Sequence, residues 1–388
     1  MNSESVVRGG CSLIGNTPLI YLKSLSETTG CTIYAKCEFM NPGGSCKDRV
    51  ALQSVIDAET RGLITRHKGV TLVEGTSGST GVSLALVASA LGYKCCIYMP
   101  DDVAREKSDI VKRLGAEVRQ VRPVAYSNSE HYVHCARAEA ERISEKSASA
   151  SFSLWNEQKS AFFIDQFENP SNFRAHYLHT GPEIYHQCEK LHREKNGFFS
   201  LFGTTSAVID AFVCGAGTGG TLAGVSSFLK TKLPKLIVCL IDPPGSSIYN
   251  LVQFGVAFSP KQAEKTLKRH RDDTVIEGVG LDRVTANMSL ALPHVNEAFT
   301  CSDEEAIKMS RFLLCNEGLF VGGSSAMNCV GALKLARKLG PNHTIVTILC
   351  DRGERTLSRF WNDNELKTRG INIDNVKVDS LDSLFSTD

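Results

Sequence analysis

The chain has 388 residues, 42% of them hydrophobic and 22% charged, with a formal net charge of +1. That is an ordinary globular profile with room for two cores. The near-zero charge excludes an electrostatic case for nucleic acid or an acidic surface as partner. No run is long and apolar enough for a transmembrane segment. The start, Met1-Asn2-Ser3-Glu4-Ser5, lacks the apolar core or arginine-rich face of a targeting signal. A cytoplasmic location is expected, with a mitochondrial one left open. The 14 cysteines form no C-x-x-C and no zinc-spaced cluster, so no metal is expected. Cys95, Cys96, Cys214, Cys239 and Cys350 lie in apolar runs and read as small buried hydrophobes of a reducing compartment. Cys46 is a candidate redox sensor, although its neighbours point to a packed position.

Strand-like runs alternate with helical patterns at Thr32–Glu38, Val70–Val73, Cys95–Met99, Val118–Val121, Ile209–Cys214, Leu236–Ile241 and Ile345–Leu349. This predicts an α/β protein with mainly parallel strands. The first motif follows the first strand: Asn41-Pro42-Gly43-Gly44-Ser45-Cys46-Lys47-Asp48-Arg49. A Gly- and Pro-rich turn delivers one lysine to the start of a helix carrying Ala51, Val55, Ile56 and Ala58, with Ser45 as its expected N-cap. The positive end of a helix is expected to lower that lysine's pKa and favour a nucleophilic amine, able to form a Schiff base with a carbonyl compound such as pyridoxal phosphate.

The second motif follows Val70–Val73 as Glu74-Gly75-Thr76-Ser77-Gly78-Ser79-Thr80-Gly81, leading into a helix with Val82, Leu84, Ala85 and Val87. Backbone N–H groups, hydroxyls and a helix dipole converge there on one anion, a carboxylate or a phosphate. Ser147–Ser160 and Gln187–Ser206 are polar and aperiodic, which predicts surface loops. The third motif, Gly215-Ala216-Gly217-Thr218-Gly219-Gly220-Thr221, again joins a strand to a helix, opening at about Leu222. Gly215, Gly217 and Gly220 also fit G-x-G-x-x-G, and the next strand ends at Asp242, so this segment alone points to an NAD-dependent oxidoreductase. Lys268-Arg269-His270-Arg271, followed by Asp272 and Asp273, reads as a solvated loop. The tail beyond Trp361 is short and charged.

Taken in order, the three motifs resemble the β-family of pyridoxal-phosphate (PLP) enzymes, fold type II, above all the cysteine synthases (O-acetylserine sulfhydrylases) and the core of cystathionine β-synthase. The resemblance runs through nearly the whole chain. It includes Ile14-Gly15-Asn16-Thr17-Pro18-Leu19, Asp165-Gln166-Phe167-Glu168-Asn169-Pro170, Thr180-Gly181-Pro182-Glu183-Ile184, Glu277-Gly278-Val279-Gly280, and Glu317 to Ser325. It implies a two-domain, tryptophan-synthase-β-like α/β fold with mainly parallel twisted sheets and PLP in the interdomain cleft. The larger PLP-binding domain would take residues 1–46 and 161–388, and the smaller, mobile one 47–160. A homodimer is implied. The chain is expected to carry neither the paired regulatory modules nor the haem-binding extension of many cystathionine β-synthases.

By the same resemblance Lys47 is the catalytic residue that binds PLP as a Schiff base. Gly217, Thr218, Gly219, Gly220 and Thr221 cradle its phosphate, and Ser324 meets the pyridine nitrogen. Thr76, Ser77, Gly78 and Thr80 grip the substrate carboxylate with Gln166, and Gly278 joins the substrate site. Ser79 stands where the family usually has an asparagine that contacts the cofactor's 3′-oxygen. A serine at the pyridine nitrogen leaves the ring a weaker electron sink, which suits β-replacement over transamination. The implied reaction is L-cysteine synthesis from O-acetyl-L-serine and sulfide through an aminoacrylate, with a small amino acid and sulfide or a small thiol as partners. The rivals are cystathionine β-synthase activity on serine and homocysteine, a cysteine desulfhydrase (a lyase), the NAD oxidoreductase and a non-catalytic scaffold.

Overall fold

Among the described residues ten strands alternate with helices: β1 Leu19–Tyr21, β2 Thr32–Cys37, β3 Thr71–Gly75, β4 Lys94–Pro100, β5 Glu117–Val121, β6 Ala161–Phe163, β7 Ala211–Gly215, β8 Ile237–Asp242, β9 Glu297–Thr300 and β10 Thr344–Leu349. The structure, a computed structural model, describes residues 7–150, 160–196, 208–258, 274–371 and 381. The expected loop at Lys268–Asp273, and positions 151–159 and 197–206 of the two expected surface loops, lie outside the described residues. Among the described residues no helix is long and apolar enough to cross a membrane.

The strands form two sheets. The larger has the order β1-β2-β10-β7-β8-β9 and the smaller β5-β4-β3-β6. Every pairing is parallel except β1 with β2. The interior strands are near-continuous apolar runs. Val213, Val238, Leu240, Ile345 and Ile348 are fully buried, because helices cover both faces of a parallel sheet. Helix Gly323–Leu339 is the most enclosed, with Ala326, Met327, Val330 and Leu333 inaccessible to solvent. In the smaller sheet, helices Lys47–Thr60 and Ser79–Leu91 bury Val50, Ala51, Val55, Leu84, Ala85 and Val87. A glycine in the left-handed region, Gly92 at φ 74°, stops the second of these.

Both expected surface loops begin as helix. Helix Tyr132–Ala150 continues into the first, and helix Gly181–Asn196 occupies the second as far as Asn196. In the latter, Ile184 and Cys188 face the core while Glu189, Lys190 and Arg193 face solvent. One narrow apolar stripe on an otherwise charged helix leaves little periodicity in the sequence.

Candidate active site

Loops at the C-terminal ends of strands from both sheets enclose a cavity of about 410 Å³. Parallel α/β sheets gather ligands at that end. The turn before Lys47 is fixed from both sides. Gly43 N–H donates to Asp48 Oδ2 at 2.5 Å, and Ser83 Oγ donates to Asp48 Oδ1. Arg49 donates to both oxygens of Glu38 at 2.7 and 2.8 Å and to both of Glu183 at 2.6 and 2.8 Å. Burial opposes ionisation of Glu38 and Glu183, but the Arg49 guanidinium prevails and holds both carboxyls below the usual range. This buried cluster anchors the helix that begins at Lys47.

Two expectations about that helix change. Ser45 is not the N-cap; Cys46 takes that position with helical dihedrals, and Ser45 Oγ accepts the Lys47 N–H at 3.3 Å. Ser45 is drawn away because its backbone bridges Asp351. Nor is the free Lys47 amine acidified. Burial does oppose the ammonium, but the Cys46 and Cys350 sulfurs outweigh it, and the pKa is raised. Lys47 Nζ donates to Cys46 Sγ at 3.2 Å. Cys95, Cys96, Cys214 and Cys239 are buried as expected, whereas Cys350 is only partly so and opens on the cavity.

Of the expected site residues, Lys47, Thr76, Ser77, Ser79, Thr80, Gln166, Gly217, Thr218, Gly219, Thr221, Gly278 and Ser324 line this one cavity. Gly78 and Gly220 do not. A Cβ on Gly78, at φ 137°, would lie 2.2 Å from Lys107 Cδ, and one on Gly220 would lie 2.0 Å from Asn172 Oδ1. These two glycines let neighbours pack closely behind the loops. Gln166 Oε1 accepts from Thr80 Oγ1 while its Nε2 donates to Gly75 O at 3.1 Å, so the hydroxyl loop is held from β6. Thr221 Oγ1 lies 3.1 Å from Nε2 of His176, which burial keeps neutral. Asp242, the acid that prompted the dinucleotide alternative, is fully buried, and its Oδ2 accepts the Tyr249 N–H at 2.9 Å. It faces the interior and not a ribose.

A polar clasp at the cavity rim has no counterpart in any local sequence pattern. Lys107 Nζ pairs with Glu277 Oε2; Arg359 Nη1 meets Glu277 Oε1 at 3.1 Å, and Arg359 also donates to the Asp102 carbonyl. Ser358 donates twice to Glu106, at 2.9 and 2.8 Å. Helix Arg105–Arg113 is thereby tied to the segment after β10. Asp351, also in the wall, was recoverable in principle, since it follows the C-terminal end of a parallel strand.

These residues fit PLP. Gly217 and Gly219 form a cradle that no side chain could share, since a Cβ would lie 2.0 Å from Gly278 O or 2.6 Å from Met288 N. The cradle opens on the N-terminus of helix Gly220–Lys232, whose free N–H groups suit a phosphate. Lys47 supplies an amine in the same cavity, and Ser324 a neutral hydroxyl.

Residues 11–351 match the family model described as "Pyridoxal-phosphate dependent enzyme", and the chain belongs to that family. It is 45% identical over 368 residues to "Cysteine synthase 2" of Schizosaccharomyces pombe, covering 95% of this chain and 87% of that protein. To "Cysteine synthase 2" of Emericella nidulans it is 48% identical, covering 92% of this chain and 80% of the other. It is more distant from "Cystathionine beta-synthase" of Dictyostelium discoideum, at 35% identity over 92% of this chain and 62% of that protein. The family and Asp242's burial together overturn the dinucleotide alternative.

Proposed function

We propose that the protein makes L-cysteine from O-acetyl-L-serine and sulfide, with Lys47 as the residue that holds PLP. One observation carries this: Lys47, the glycine cradle and the hydroxyl loop share one cavity, in a chain whose relatives at 45% and 48% identity are named cysteine synthases. When bound, PLP supplies an electron sink for negative charge at the substrate α-carbon. Gly217, Thr218, Gly219 and Thr221 would hold its phosphate, with Gly220 packed behind them, and Ser324 would offer its ring nitrogen a hydroxyl that does not force a positive charge there.

Thr76, Ser77 and Thr80 bind the substrate carboxylate through hydroxyls and helix-terminal N–H groups, with Gln166 fixing Thr80, while Ser79 would face the cofactor. Gly78 allows the turn. Lys47 Nζ takes the α-proton and later returns one. The clasp of Lys107, Glu277 and Arg359 closes the rim and keeps water out after acetate has left and before sulfide adds. Residues 47–160 form the smaller unit, with β6 attached to it through β3. The working unit is a homodimer in a reducing compartment, cytosol or mitochondrial matrix; all 14 cysteines being free supports the compartment.

Product analysis tests the reaction. The purified protein should form cysteine from O-acetylserine and sulfide faster than cystathionine from serine and homocysteine, and faster than sulfide from cysteine alone. Faster cystathionine formation would refute the assignment.

A further inference from the structure

Two thiols from opposite ends of the chain meet beside Lys47. Ser45 and Asp351 are antiparallel bridge partners, which sets Cys46 opposite Cys350, and Cys46 N–H donates to the Cys350 carbonyl at 3.0 Å. Residues opposite one another in such a pair have Cα atoms about 5.5 Å apart, inside the range that a disulfide spans. Side chains directly opposite in an antiparallel pair stand on one face, with Cβ atoms about 4.5–5.5 Å apart.

Their surroundings differ. Cys46 Sγ accepts from Lys47 Nζ at 3.2 Å. The Cys350 thiol across the bridge, opposed by burial and helped by the Lys47 ammonium, lowers the Cys46 thiol pKa to about 6, where thiolate forms at neutral pH. Cys350 is displaced the other way and keeps its proton. One sulfur is thus an activated nucleophile and its neighbour a resolving thiol, the arrangement of an oxidation-sensitive pair. Both line the cavity, so a small oxidant has a path to them.

We propose that Cys46 and Cys350 are a redox modification site, closed to a disulfide by a hydroperoxide and reopened by a dithiol. Cys46 Sγ attacks one peroxide oxygen. The O–O bond breaks, the leaving hydroxide departs as water with the thiol's proton, and Cys46 is left as a sulfenic acid. Cys350 Sγ then attacks Cys46 Sγ; the S–O bond breaks, the S–S bond forms, and a second water leaves with the Cys350 proton. Two thiols have lost two electrons to one peroxide. The link ties the turn that carries Lys47 to the end of β10 and removes the sulfur anion beside its amine. Nothing here depends on which substrates the enzyme uses.

The test treats the holoenzyme with hydrogen peroxide, caps remaining thiols with N-ethylmaleimide, and maps unreduced digests by mass spectrometry. The expected product is a linked Cys46–Cys350 peptide pair that dithiothreitol abolishes. Cys350→Ala should lack the link and carry Cys46 to the sulfinic acid, and Cys350→Ser gives the same readout should the alanine variant fold poorly. Cys214→Ala, which removes a third thiol of the same wall, should retain the link. Cys46 and Cys350 both capped as free thiols while the exposed Cys315 is oxidised would overturn the proposal. So would a Cys46–Cys214 link.

Discussion

Gly217→Ala would place a methyl carbon 2.0 Å from the carbonyl oxygen of Gly278 and 3.1 Å from its carbonyl carbon. Non-bonded heavy atoms prefer about 3.5–4.0 Å, so a gap of more than an ångström must open. Both partners are backbone, and no rotamer change relieves the contact. Overpacking of this kind costs about 1–3 kcal/mol. Placed wholly on cofactor binding, at about 1.4 kcal/mol per factor of ten, that is roughly a 5- to 150-fold loss of PLP affinity. Equilibrium dialysis of the apoenzyme against PLP measures it, and urea denaturation of the apoenzyme captures any share that falls on folding. Gly278→Ala is the companion. Its Cβ meets nothing within 4 Å, so it reports only the strain of a left-handed residue at φ 82°, about 1–2 kcal/mol. Parental PLP affinity together with parental stability in Gly217→Ala would refute the close approach of these two loops.

Glu183→Gln removes a carboxylate from Arg49 and Lys36, which sit 2.6 and 2.8 Å away. Hydrogen bonds to charged groups are worth about 1.5–3 kcal/mol, and urea denaturation should show a loss of that size at neutral pH. Because the folded Glu183 pKa is depressed, its contribution is full above the ordinary carboxylate value and is lost as pH falls through the folded one. Parent and variant should therefore converge in acid, and a gap that widens there would contradict the assignment. Ser79→Asn should restore a direct bond to the cofactor oxygen, worth about 0.5–1.5 kcal/mol, or a two- to twelve-fold faster O-acetylserine half-reaction by about 1.4 kcal/mol per decade. Rapid-scan absorbance reads that rate, and identical traces would mark Ser79 as a neutral replacement.

The strands visible in the sequence are the interior ones, together with β5. β2, β4, β7, β8 and β10 are apolar runs because both their faces are covered. The missed strands, β1, β6 and β9, are all sheet edges of three or four residues. Edges are short and half-exposed, so they carry neither a run nor an alternation long enough to register. The glycine loops were legible because a phosphate or carboxylate cradle restricts residue type locally. The rim clasp was not, since Lys107, Glu277 and Arg359 look like surface charges until folding brings them together. The same holds for Cys46 and Cys350, about three hundred positions apart. Cys46 stands out in the sequence beside Lys47, but its partner and its effect on Lys47 depend on a backbone bridge that no local pattern announces.

We propose Lys47 as the residue that holds the cofactor, and this can be tested chemically. Borohydride fixes PLP to the lysine that carries it, and peptide mapping of the reduced holoenzyme then identifies that residue. The label should fall on Lys47 and vanish, with the yellow colour, in Lys47→Ala. A label on another lysine of the parent protein, or none at all, would show that Lys47 does not hold the cofactor.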